Sequence, residues 1–427
     1  MSKTIENIFD YANITDDCVK CAKCVPVCTI HRVNADEVTS PRGFLDLLGA
    51  YQRGKLDLDE NVKNIFESCF LCTACVEVCP KSLPTDMVIE QVRSDIAKKF
   101  GIAWYKRAFF LLLRHRWMND LAFKLGWVFQ TCAFKIKAET DSMNSRFSFP
   151  MLKADRLLPS LKKTSFLNSY KENINNGGKR KVAIFIGCLG NYNYKGVGDG
   201  LLEILKHLEI DAFLAKDQKC CSAPAYFTGA FDTVDYNAKF NIKYFESFSS
   251  DVEAIIVPEA TCSAMLKIDY EHYFHDQPEW KARAKAIKGK IFMATEWLEK
   301  HTHLQELLAS KKKDTKVVTY HDPCHAKKMQ GIHKEPRNLI STNYDIVEMS
   351  DSNSCCGFGG VTMQSEKYHF AKAAGTPKAA MIKDTKADVV SAECSACRMQ
   401  INASMSYAEV DTIFKNPIEL IAEALRN

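Results

Sequence analysis

The sequence predicts an α+β protein of several domains, in which a helical N-terminal domain is followed by two copies of one cysteine-rich α/β unit. Two four-cysteine runs of equal spacing lie in the first 80 residues, and the residues between them have helical periodicity. Beyond residue 180, one order of apolar runs, helix-like stretches and cysteines occurs twice. With 427 residues, the chain is long enough for two or three hydrophobic cores.

Each N-terminal run has the spacing C-x2-C-x2-C-x3-C. The first run contains Cys18, Cys21, Cys24 and Cys28, and the second contains Cys69, Cys72, Cys75 and Cys79, followed by Pro80. A zinc ion usually takes two separated cysteine pairs rather than four crowded thiols. Structural disulfides are rare in a reducing cytosol. The spacing is typical of bacterial ferredoxins, in which three thiolates bind one cluster and the fourth binds the other.

Two such runs predict two [4Fe–4S] clusters with crossed ligation. The first cluster is assigned to Cys18, Cys21, Cys24 and Cys79, and the second to Cys69, Cys72, Cys75 and Cys28. Thr29 stands where a proline usually follows the fourth cysteine, which removes no ligand. Between the runs, Leu45, Leu48, Leu56, Val62, Ile65 and Phe66 have largely helical spacing, with Asp59 or Asn61 as the expected N-cap. Residues 1–99 are therefore predicted to form a helical ferredoxin domain.

The rest of the chain contains an internal repeat. Cys324 follows Cys188 by 136 residues, Cys356 follows Cys221 by 135, and Cys394 follows Cys262 by 132. Such similar offsets between like residues indicate a duplication, which we divide into a first repeat, residues 181–310, and a second repeat, residues 311–427. Alternating strands and helices predict a parallel sheet in each repeat, with the cysteines gathered at its carboxyl edge.

The two repeats supply different sets of metal ligands. The second repeat offers Cys324, Cys355, Cys356, Cys394 and Cys397, whereas the first offers Cys188, Cys220, Cys221 and Cys262, with Met265 in place of a fifth. Because a thioether is a weak ligand, the two sites cannot be equivalent. The second site is expected to hold a further iron–sulfur cluster or zinc, and the first is either a metal site or a structural remnant. Gly357, Gly359 and Gly360 would let the backbone approach the metal closely.

These stretches resemble the CCG-domain iron–sulfur oxidoreductases. The matching segments are GCLGNYNYKGVGDGLLEIL, KCCSAP, TCSAML, VVTYHDPCHAKKM, CCGFGG and CSACRMQI. Within that family, the chain is most similar to the C subunit of anaerobic glycerol-3-phosphate dehydrogenase and next to the glycolate oxidase iron–sulfur subunit. The PRGFLDLL stretch is more like the glycolate and lactate relatives. The resemblance implies an electron-transfer subunit that takes electrons from a flavoprotein dehydrogenase subunit and relays them to membrane quinone.

Several classes of function lack support in the sequence. There is no GxGxxG fingerprint after a strand and no Walker A motif, so the chain is expected to bind no flavin or nicotinamide, and no catalytic residue is assigned. The net charge of +5 is spread along the chain and gives no case for a nucleic-acid partner. The start MSKTIENIFDYANITDD lacks the features of a signal peptide. We expect a cytoplasmic protein, with peripheral contact on the inner face of the membrane as an option.

Residues 100–137 combine Trp104, Trp117 and Trp127 with basic side chains. A helical stripe contains Phe110, Leu113, Trp117, Leu121, Leu125 and Val128. The segment either docks on a membrane or a partner subunit, or packs internally, since Arg114 and Lys124 lie close to the stripe. Residues 138–180 are expected to be an interdomain linker, and Cys132 a buried small hydrophobe.

Two further questions stay open at the level of sequence. His321 and His325 flank Cys324, and they either hydrogen-bond to cluster sulfurs or backbone, or deliver protons to a reduced quinone. The alternative function is a thiol–disulfide oxidoreductase like heterodisulfide reductase, in which the repeat's cluster cleaves a disulfide. Met265 argues against it, because that chemistry favours five thiols in both repeats. A zinc-stabilised docking protein is disfavoured by the two ferredoxin runs.

Overall fold

The N-terminal domain is helical, as the sequence predicts. A computed structural model describes residues 11–147 and 156–427. The helices of this domain are α1 (Tyr11–Asp16), α2 (Thr29–Asn34), α3 (Pro41–Gln52), α4 (Glu60–Phe66), α5 (Ala74–Glu77) and α6 (Thr85–Phe100), with a 3₁₀ turn at Glu37–Thr39. Asp59 is the N-cap of α4, because its carboxylate accepts the backbone N–H of Val62 at 2.8 Å.

A hairpin of two helices and a small antiparallel sheet follow. They are α7 (Trp104–Arg114), α8 (Arg116–Ala133), β1 (Phe134–Lys137), β2 (Ser142–Ser145) and β3 (Leu157–Pro159), with a 3₁₀ turn at Ala138–Thr140. The strands are ordered β1-β2-β3. The sequence predicted a linker over residues 138–180, but this segment also holds α9 (Phe166–Ser169) and β4 (Asn173–Ile174). These elements span two to four residues each, too short for a periodic pattern to reveal.

The first repeat is built on a five-stranded sheet. Its strands are β5 (Arg180–Ile184), β6 (Ile210–Leu214), β7 (Ile255–Val257) and β8 (Ile291–Met293), in the order β4-β6-β5-β7-β8. Only β4 is antiparallel to its neighbour. The helices are α10 (Cys188–Tyr192), α11 (Lys195–His207), α12 (Ala223–Tyr226), α13 (Phe231–Phe248), α14 (Ala260–Ala264), α15 (Tyr270–Tyr273), α16 (Pro278–Lys288), α17 (Ala294–His301) and α18 (Leu304–Ala309), with a π-helical turn at Met265–Asp269.

The second repeat has the same sheet without the added antiparallel strand. Its strands are β9 (Val317–Tyr320), β10 (Asp345–Ile346), β11 (Val389–Ser391) and β12 (Ile413–Lys415), all parallel in the order β10-β9-β11-β12. Its helices are α19 (Cys324–Gln330), α20 (Lys334–Ser341), α21 (Gly360–Ser365), α22 (Tyr368–Thr385), α23 (Ser395–Tyr407) and α24 (Pro417–Arg426). The order β6-β5-β7-β8 therefore matches β10-β9-β11-β12, and the predicted duplication is confirmed.

The two repeats share one hydrophobic core. Helix α11 of the first repeat packs against α24 of the second. The buried cluster between them contains Leu201 and Leu205 from α11 with Ile418 and Ile421 from α24, and it extends under both sheets. Burial of this size makes separation of the repeats costly, since each buried leucine or isoleucine contributes about 2 kcal/mol. The repeats are thus one folding unit.

The N-terminal domain is joined to the repeats by buried polar contacts. The Arg93 guanidinium of α6 donates to the carbonyl oxygens of Phe66 at 3.1 Å, Cys69 at 2.7 Å and, in the first repeat, Phe227 at 2.8 Å. Gly229 lies against the same helix with a positive φ of 81°, and a Cβ there would come within 2.2 Å of the Arg93 carbonyl oxygen. The interface therefore depends on a glycine as well as on an arginine.

None of the helices in the described ranges has the length and apolar character needed to cross a membrane.

Gly229→Ala should destabilise the protein more than a positive φ alone explains. Gly54→Ala is the matched control, because Gly54 has a φ of 67° and no heavy atom lies within 4 Å of a Cβ placed there. We expect the control to cost about 1–2 kcal/mol through backbone strain, and Gly229→Ala to cost several kcal/mol more through the added clash. Thermal unfolding of the anaerobically purified full chain at one scan rate measures both. Equal losses would show that the contact with α6 is unimportant.

Candidate metal centres

The first predicted cluster set lies around one concavity near the surface. Cys18, Cys21, Cys24 and Cys79 line it together with Cys75. Cys21 is exposed, whereas the other three predicted ligands are half-buried. Burial is the main cause that raises the pKa of Cys24, and the neighbouring Cys18, Cys21 and Cys79 raise it further. The structure thus brings the fourth cysteine of the second run to the first three of the first run.

The second predicted set surrounds a deeper concavity. Cys28, Cys69, Cys72 and Cys75 line it. Cys28 is buried, and burial raises its pKa to about 12, with a smaller contribution from Cys69 and Cys72. Cys75 lines both concavities, so the two sets are neighbours. Crossed ligation requires this pairing of runs, and ligation itself stays a prediction.

Both runs follow the same backbone path. The residues on either side of the second cysteine have positive φ in each run: Lys20 and Ala22 in the first, Leu71 and Thr73 in the second. These positive φ angles turn the backbone around the thiols, so that backbone N–H groups face the sulfur atoms. The Leu71 N–H donates to the Cys69 sulfur at 3.4 Å, and the Thr29 hydroxyl lies 3.4 Å from the Cys72 sulfur. Such hydrogen bonds stabilise the charge of a metal-bound thiolate, so the sites suit iron–sulfur clusters.

The cysteines of both repeats lie beyond the carboxyl ends of the parallel strands, as predicted. Cys188 and Cys324 begin the helices after β5 and β9, and Cys394 immediately precedes α23 after β11. The paired cysteines occupy the loops after β6 and β10. The residue after each pair, Ser222 or Gly357, has positive φ and donates its N–H to the sulfur of the first cysteine of the pair. The duplication therefore extends to local backbone geometry.

The second repeat gathers its thiols in a hydrogen-bonded chain. The chain runs from Cys355 through Cys356 and Cys397 to Cys394, and Cys324 lies close to Cys394. Hydrogen bonds from Cys355 and Cys397 lower the pKa of Cys356, and a hydrogen bond from Cys397 lowers that of Cys394 to about 7. Thiols that deprotonate readily are good metal ligands.

His321 joins this group, which the sequence did not identify as a ligand set. The potential ligand atoms of His321, Cys356 and Cys397 lie within 4.8 Å of one another. His321 Nδ1 is 3.2 Å from the Ser352 carbonyl oxygen, whereas its buried Nε2 has no protein partner. Burial lowers its pKa well below the usual value, so the imidazole is neutral and able to bind a metal. His325 instead contacts the Cys324 sulfur through Nδ1 at 3.3 Å. This donor set suits an iron–sulfur cluster or zinc.

Two of the glycines after Cys356 allow close packing within the protein, and their closeness to a metal stays a prediction. A Cβ on Gly357 would come within 2.8 Å of the Gly375 backbone nitrogen in α22. A Cβ on Gly359 would come within 2.8 Å of Phe70, which lies between Cys69 and Cys72. The loop of the second repeat is thereby seated on the second ferredoxin run.

The first repeat holds its thiols differently. Cys188, Cys220, Cys221 and Cys262 also form a hydrogen-bonded chain, with 3.4 Å between the sulfurs of Cys221 and Cys262. The hydrogen bond with Cys220, followed by burial, raises the pKa of Cys188 well above its usual value. The hydrogen bond from Cys221 lowers the pKa of Cys262, but burial and nearby acidic groups raise it by more, to about 11. Met265 is buried in the apolar core.

Each cysteine set lies next to another set, so that the two ferredoxin runs, the second repeat and the first repeat follow one another in space. Cys72 of the second ferredoxin run hydrogen-bonds to Cys355 of the second repeat. At the other end of that site, the Cys394 sulfur is 3.5 Å from the Thr261 hydroxyl, next to Cys262 of the first repeat. Lys328 is half-buried near Cys72, Cys324 and Cys355, and these thiols raise its pKa against the effect of burial. Neither Lys328 nor Thr261 belongs to a pattern that sequence reasoning could have recognised.

The two helices of residues 100–137 cover the first repeat on one side only. Phe110 and Leu113 of the predicted stripe are buried, whereas Trp117, Leu121, Leu125 and Val128 are exposed. Cys132 is exposed as well, so the expectation that it is buried was wrong. Because Cys132 follows Val128 by one helical turn, it lies on the solvent side of α8.

Comparison with known proteins identifies the modules. The Cysteine-rich domain family (CCG) matches residues 182–267 and 318–402, and the 4Fe-4S dicluster domain family matches residues 14–83. The "Probable glycolate oxidase iron-sulfur subunit" of Bacillus subtilis (strain 168) is 28% identical over 396 residues, which cover 90% of this chain and 88% of that protein. "Lactate utilization protein A" of an Exiguobacterium species is 34% identical over 182 residues, 42% of this chain and 71% of that protein.

A solved structure supports the fold alone. The crystal structure of a hypothetical protein from Helicobacter pylori superposes with a TM-score of 0.53 at 10% sequence identity, over 95% of this chain and 71% of that one.

Cys28→Ser and Cys79→Ser should perturb opposite clusters. Cys28 lies with the thiols of the second run, and Cys79 with those of the first. Electron paramagnetic resonance of the reduced full chain should therefore show a changed signal from the surface cluster in Cys79→Ser, and from the deeper cluster in Cys28→Ser. Damage by each variant to the cluster of its own run would contradict crossed ligation.

Lys328→Met should make the reduction potential of the deeper N-terminal cluster more negative. A half-buried cation beside Cys72, Cys324 and Cys355 favours the addition of an electron, so its removal should shift the potential by on the order of tens of millivolts. Lys328→Arg keeps the charge and is the control. Redox titration monitored by electron paramagnetic resonance gives both values, and equal shifts in the two variants would rule out an electrostatic cause.

Proposed function

The chain belongs to the family of CCG-domain iron–sulfur oxidoreductases, and on this basis we propose that it is the electron-transfer subunit of a flavin-dependent dehydrogenase complex. It carries electrons from a flavoprotein partner to membrane quinone, and the partner oxidises glycerol 3-phosphate, glycolate or lactate. The relatives named for glycolate oxidase and lactate utilization support this substrate class. The observation that carries the proposal is the succession of neighbouring cysteine sets from exposed Cys21 to the second repeat.

The N-terminal domain supplies the ligands for two [4Fe–4S] clusters. When bound, such clusters take up and release single electrons, which suits the conversion of a flavin's electron pair into one-electron steps. The chain itself fixes the thiols: positive-φ residues curl each run, and Phe44, Leu48 and Phe66 exclude water from the domain's core. The residues therefore hold the thiols of both runs against a packed apolar core.

The flavoprotein binds at the exposed surface around Cys21. Cys21 is exposed, and the adjoining Val19 and Lys20 are exposed too. All other predicted ligands are half-buried or buried. A partner that covers this surface brings its flavin closest to Cys18, Cys21, Cys24 and Cys79. The order of sites is then first N-terminal set, second N-terminal set, second repeat.

The second repeat provides the metal site that continues the path. Cys355 contacts Cys72 directly. Cys356 and Cys394 have lowered pKa values, while those of Cys324, Cys355 and Cys397 are raised. All four thiols of the first repeat have raised pKa values, and Met265, three residues after Cys262, offers a thioether in place of a fifth thiol. The second site is therefore the redox site, and the first site mainly stabilises the fold. The same asymmetry disfavours a thiol–disulfide oxidoreductase with equivalent sites in both repeats.

One experiment tests this function with the full chain. The affinity-tagged protein is purified from its host without oxygen, together with any flavoprotein that binds it. Glycerol 3-phosphate, glycolate and lactate are then added separately, while the visible iron–sulfur absorbance and reduction of a water-soluble quinone are followed. We expect one substrate to bleach the absorbance, and only when the flavoprotein is present.

Two variants test which repeat passes electrons to quinone. Cys355→Ser should retain bleaching by substrate but lose at least about tenfold in quinone reduction, because a ligand of the redox site is lost. Cys220→Ser should mainly lower the midpoint of thermal unfolding. Equal losses of metal and quinone reduction in both variants would refute the asymmetry, as would zinc in the second repeat of anaerobically purified protein, since zinc has no redox chemistry. Cleavage of a disulfide substrate without quinone reduction would support the thiol–disulfide function instead.

A further inference from the structure

Helix α8 presents its apolar side to solvent and its polar side to the protein. Trp117 is 68% exposed and Leu121 52%, and Leu125, Val128 and Phe129 continue the exposed stripe along the helix. The buried residues of α8 are Asn119 and Gln130. This is the reverse of the pattern for a surface helix of a globular protein, in which apolar residues face the core.

Polar contacts hold α8 in this orientation. Gln130 accepts the Leu161 backbone N–H at 3.0 Å and donates to the Leu161 carbonyl oxygen at 3.1 Å. The Tyr192 hydroxyl donates to Asp120 at 2.7 Å, and the Tyr192 ring stacks on Phe123 with 4.2 Å between centroids. The outward apolar face is thus a fixed feature of the fold. It forms a contiguous apolar surface of the kind that marks an interaction site.

The hairpin is strongly basic. Residues 100–137 contain seven lysines and arginines and one aspartate, an excess of six positive charges, whereas the whole chain has a net charge of +5. Lys106, Arg114 and Arg116 pair with carboxylates of the protein. Arg107, Lys124, Lys135 and Lys137 are exposed. The apolar face is therefore bordered by cations.

We propose that the α7–α8 hairpin docks the protein on the surface of a bilayer that contains anionic lipids. An apolar helix face with exposed tryptophans and bordering lysines and arginines matches the interfacial region, where apolar side chains enter the acyl boundary and cations meet the headgroups. The helices lie on the membrane and do not cross it. A second copy of the chain fits less well, because two such faces would bring their cations together.

Docking by this face places the first repeat next to the membrane. Asn237 of α13 donates to the Leu113 carbonyl oxygen at 3.4 Å and to the Ser222 hydroxyl at 2.9 Å, and Ser222 directly follows Cys221. The Lys219 ammonium donates to the Arg114 carbonyl oxygen at 2.7 Å. The hairpin and the cysteine loop of the first repeat are thus joined. Docking also brings the protein to the quinone pool, and only this consequence rests on the proposed function, because lipid binding itself does not.

Vesicle flotation with the anaerobically purified full chain tests the proposal without substrate, flavoprotein or quinone. Vesicles of phosphatidylcholine alone are compared with vesicles that contain about one-third phosphatidylglycerol. Leu121→Gln/Leu125→Gln removes apolar contact, and Lys124→Gln/Lys135→Gln removes charge. The matched controls are Val347→Gln/Ile413→Gln, at exposed apolar residues of the second repeat, and Lys312→Gln/Lys313→Gln, at exposed lysines. Circular dichroism and iron content check that every variant is folded.

We expect the unaltered protein to bind anionic vesicles much more tightly than neutral ones. The leucine variant should bind both kinds roughly tenfold or more weakly, and the lysine variant should bind anionic vesicles roughly fivefold more weakly for each charge removed. The controls should bind normally. Tryptophan emission should shift to shorter wavelength on anionic vesicles, and Trp117→Phe should reduce the shift.

Other outcomes overturn the proposal. Equally weak flotation with neutral and anionic vesicles would do so, and so would hairpin variants that float as well as their controls. If light scattering shows a dimer that the leucine variant converts to a monomer, with no vesicle binding, the face joins two copies of the chain. If the unaltered protein binds vesicles but does not reduce quinone in the substrate assay described above, the proposed function is refuted and the docking surface is not.

Discussion

The packing of the N-terminal domain against both repeats is the constraint on which the arrangement of the cysteine sets depends. This packing brings Cys72 of the second ferredoxin run into contact with Cys355 of the second repeat. Arg93 donates to the Phe227 carbonyl oxygen across that interface as well as to two carbonyl oxygens of its own domain, and Gly359 leaves room for Phe70. A buried hydrogen bond loses much of its stabilising effect if one partner moves. These contacts therefore restrict movement of the N-terminal domain relative to the repeats. The spacing between the ferredoxin domain and the cysteine site of the second repeat is therefore set by packing.

The sequence predicted what depends on neighbours along the chain. The cysteine spacing, the Asp59 cap and the alternation of strands and helices in each repeat are local patterns, and all of them are present. It could not predict which run meets the repeat, because that depends on how domains pack. It also missed the sheet around β2, whose strands are too short to show a period, and the role of His321 beside Cys356 and Cys397. The exposure of Cys132 was missed because the apolar side of α8 faces outwards.

The duplicated fold has diverged in its sites more than in its sheet. Strand order and the positive φ after each cysteine pair are the same in both repeats. Cys397, however, completes the thiol chain of the second repeat, whereas Met265 packs among apolar side chains in the first. Since α11 and α24 share one core, the first repeat cannot be removed without exposing the second. The first repeat, which offers fewer thiols, is thus needed for the packing of the second.

The charges inside the protein suit the storage of electrons. Burial raises the pKa of Glu90 well above its usual value and that of Asp269 to about 7, which reduces the negative charge on the interior acids. The interior cations behave differently. Lys328 keeps a raised pKa among the thiols, and burial lowers that of Lys378 only to about 8, so both remain largely charged at neutral pH. Each added electron would otherwise be repelled by several nearby thiolates in a medium of low dielectric constant. Lys328 and Lys378 beside the thiols lower that repulsion, and the interior acids add less negative charge than fully ionised carboxylates would.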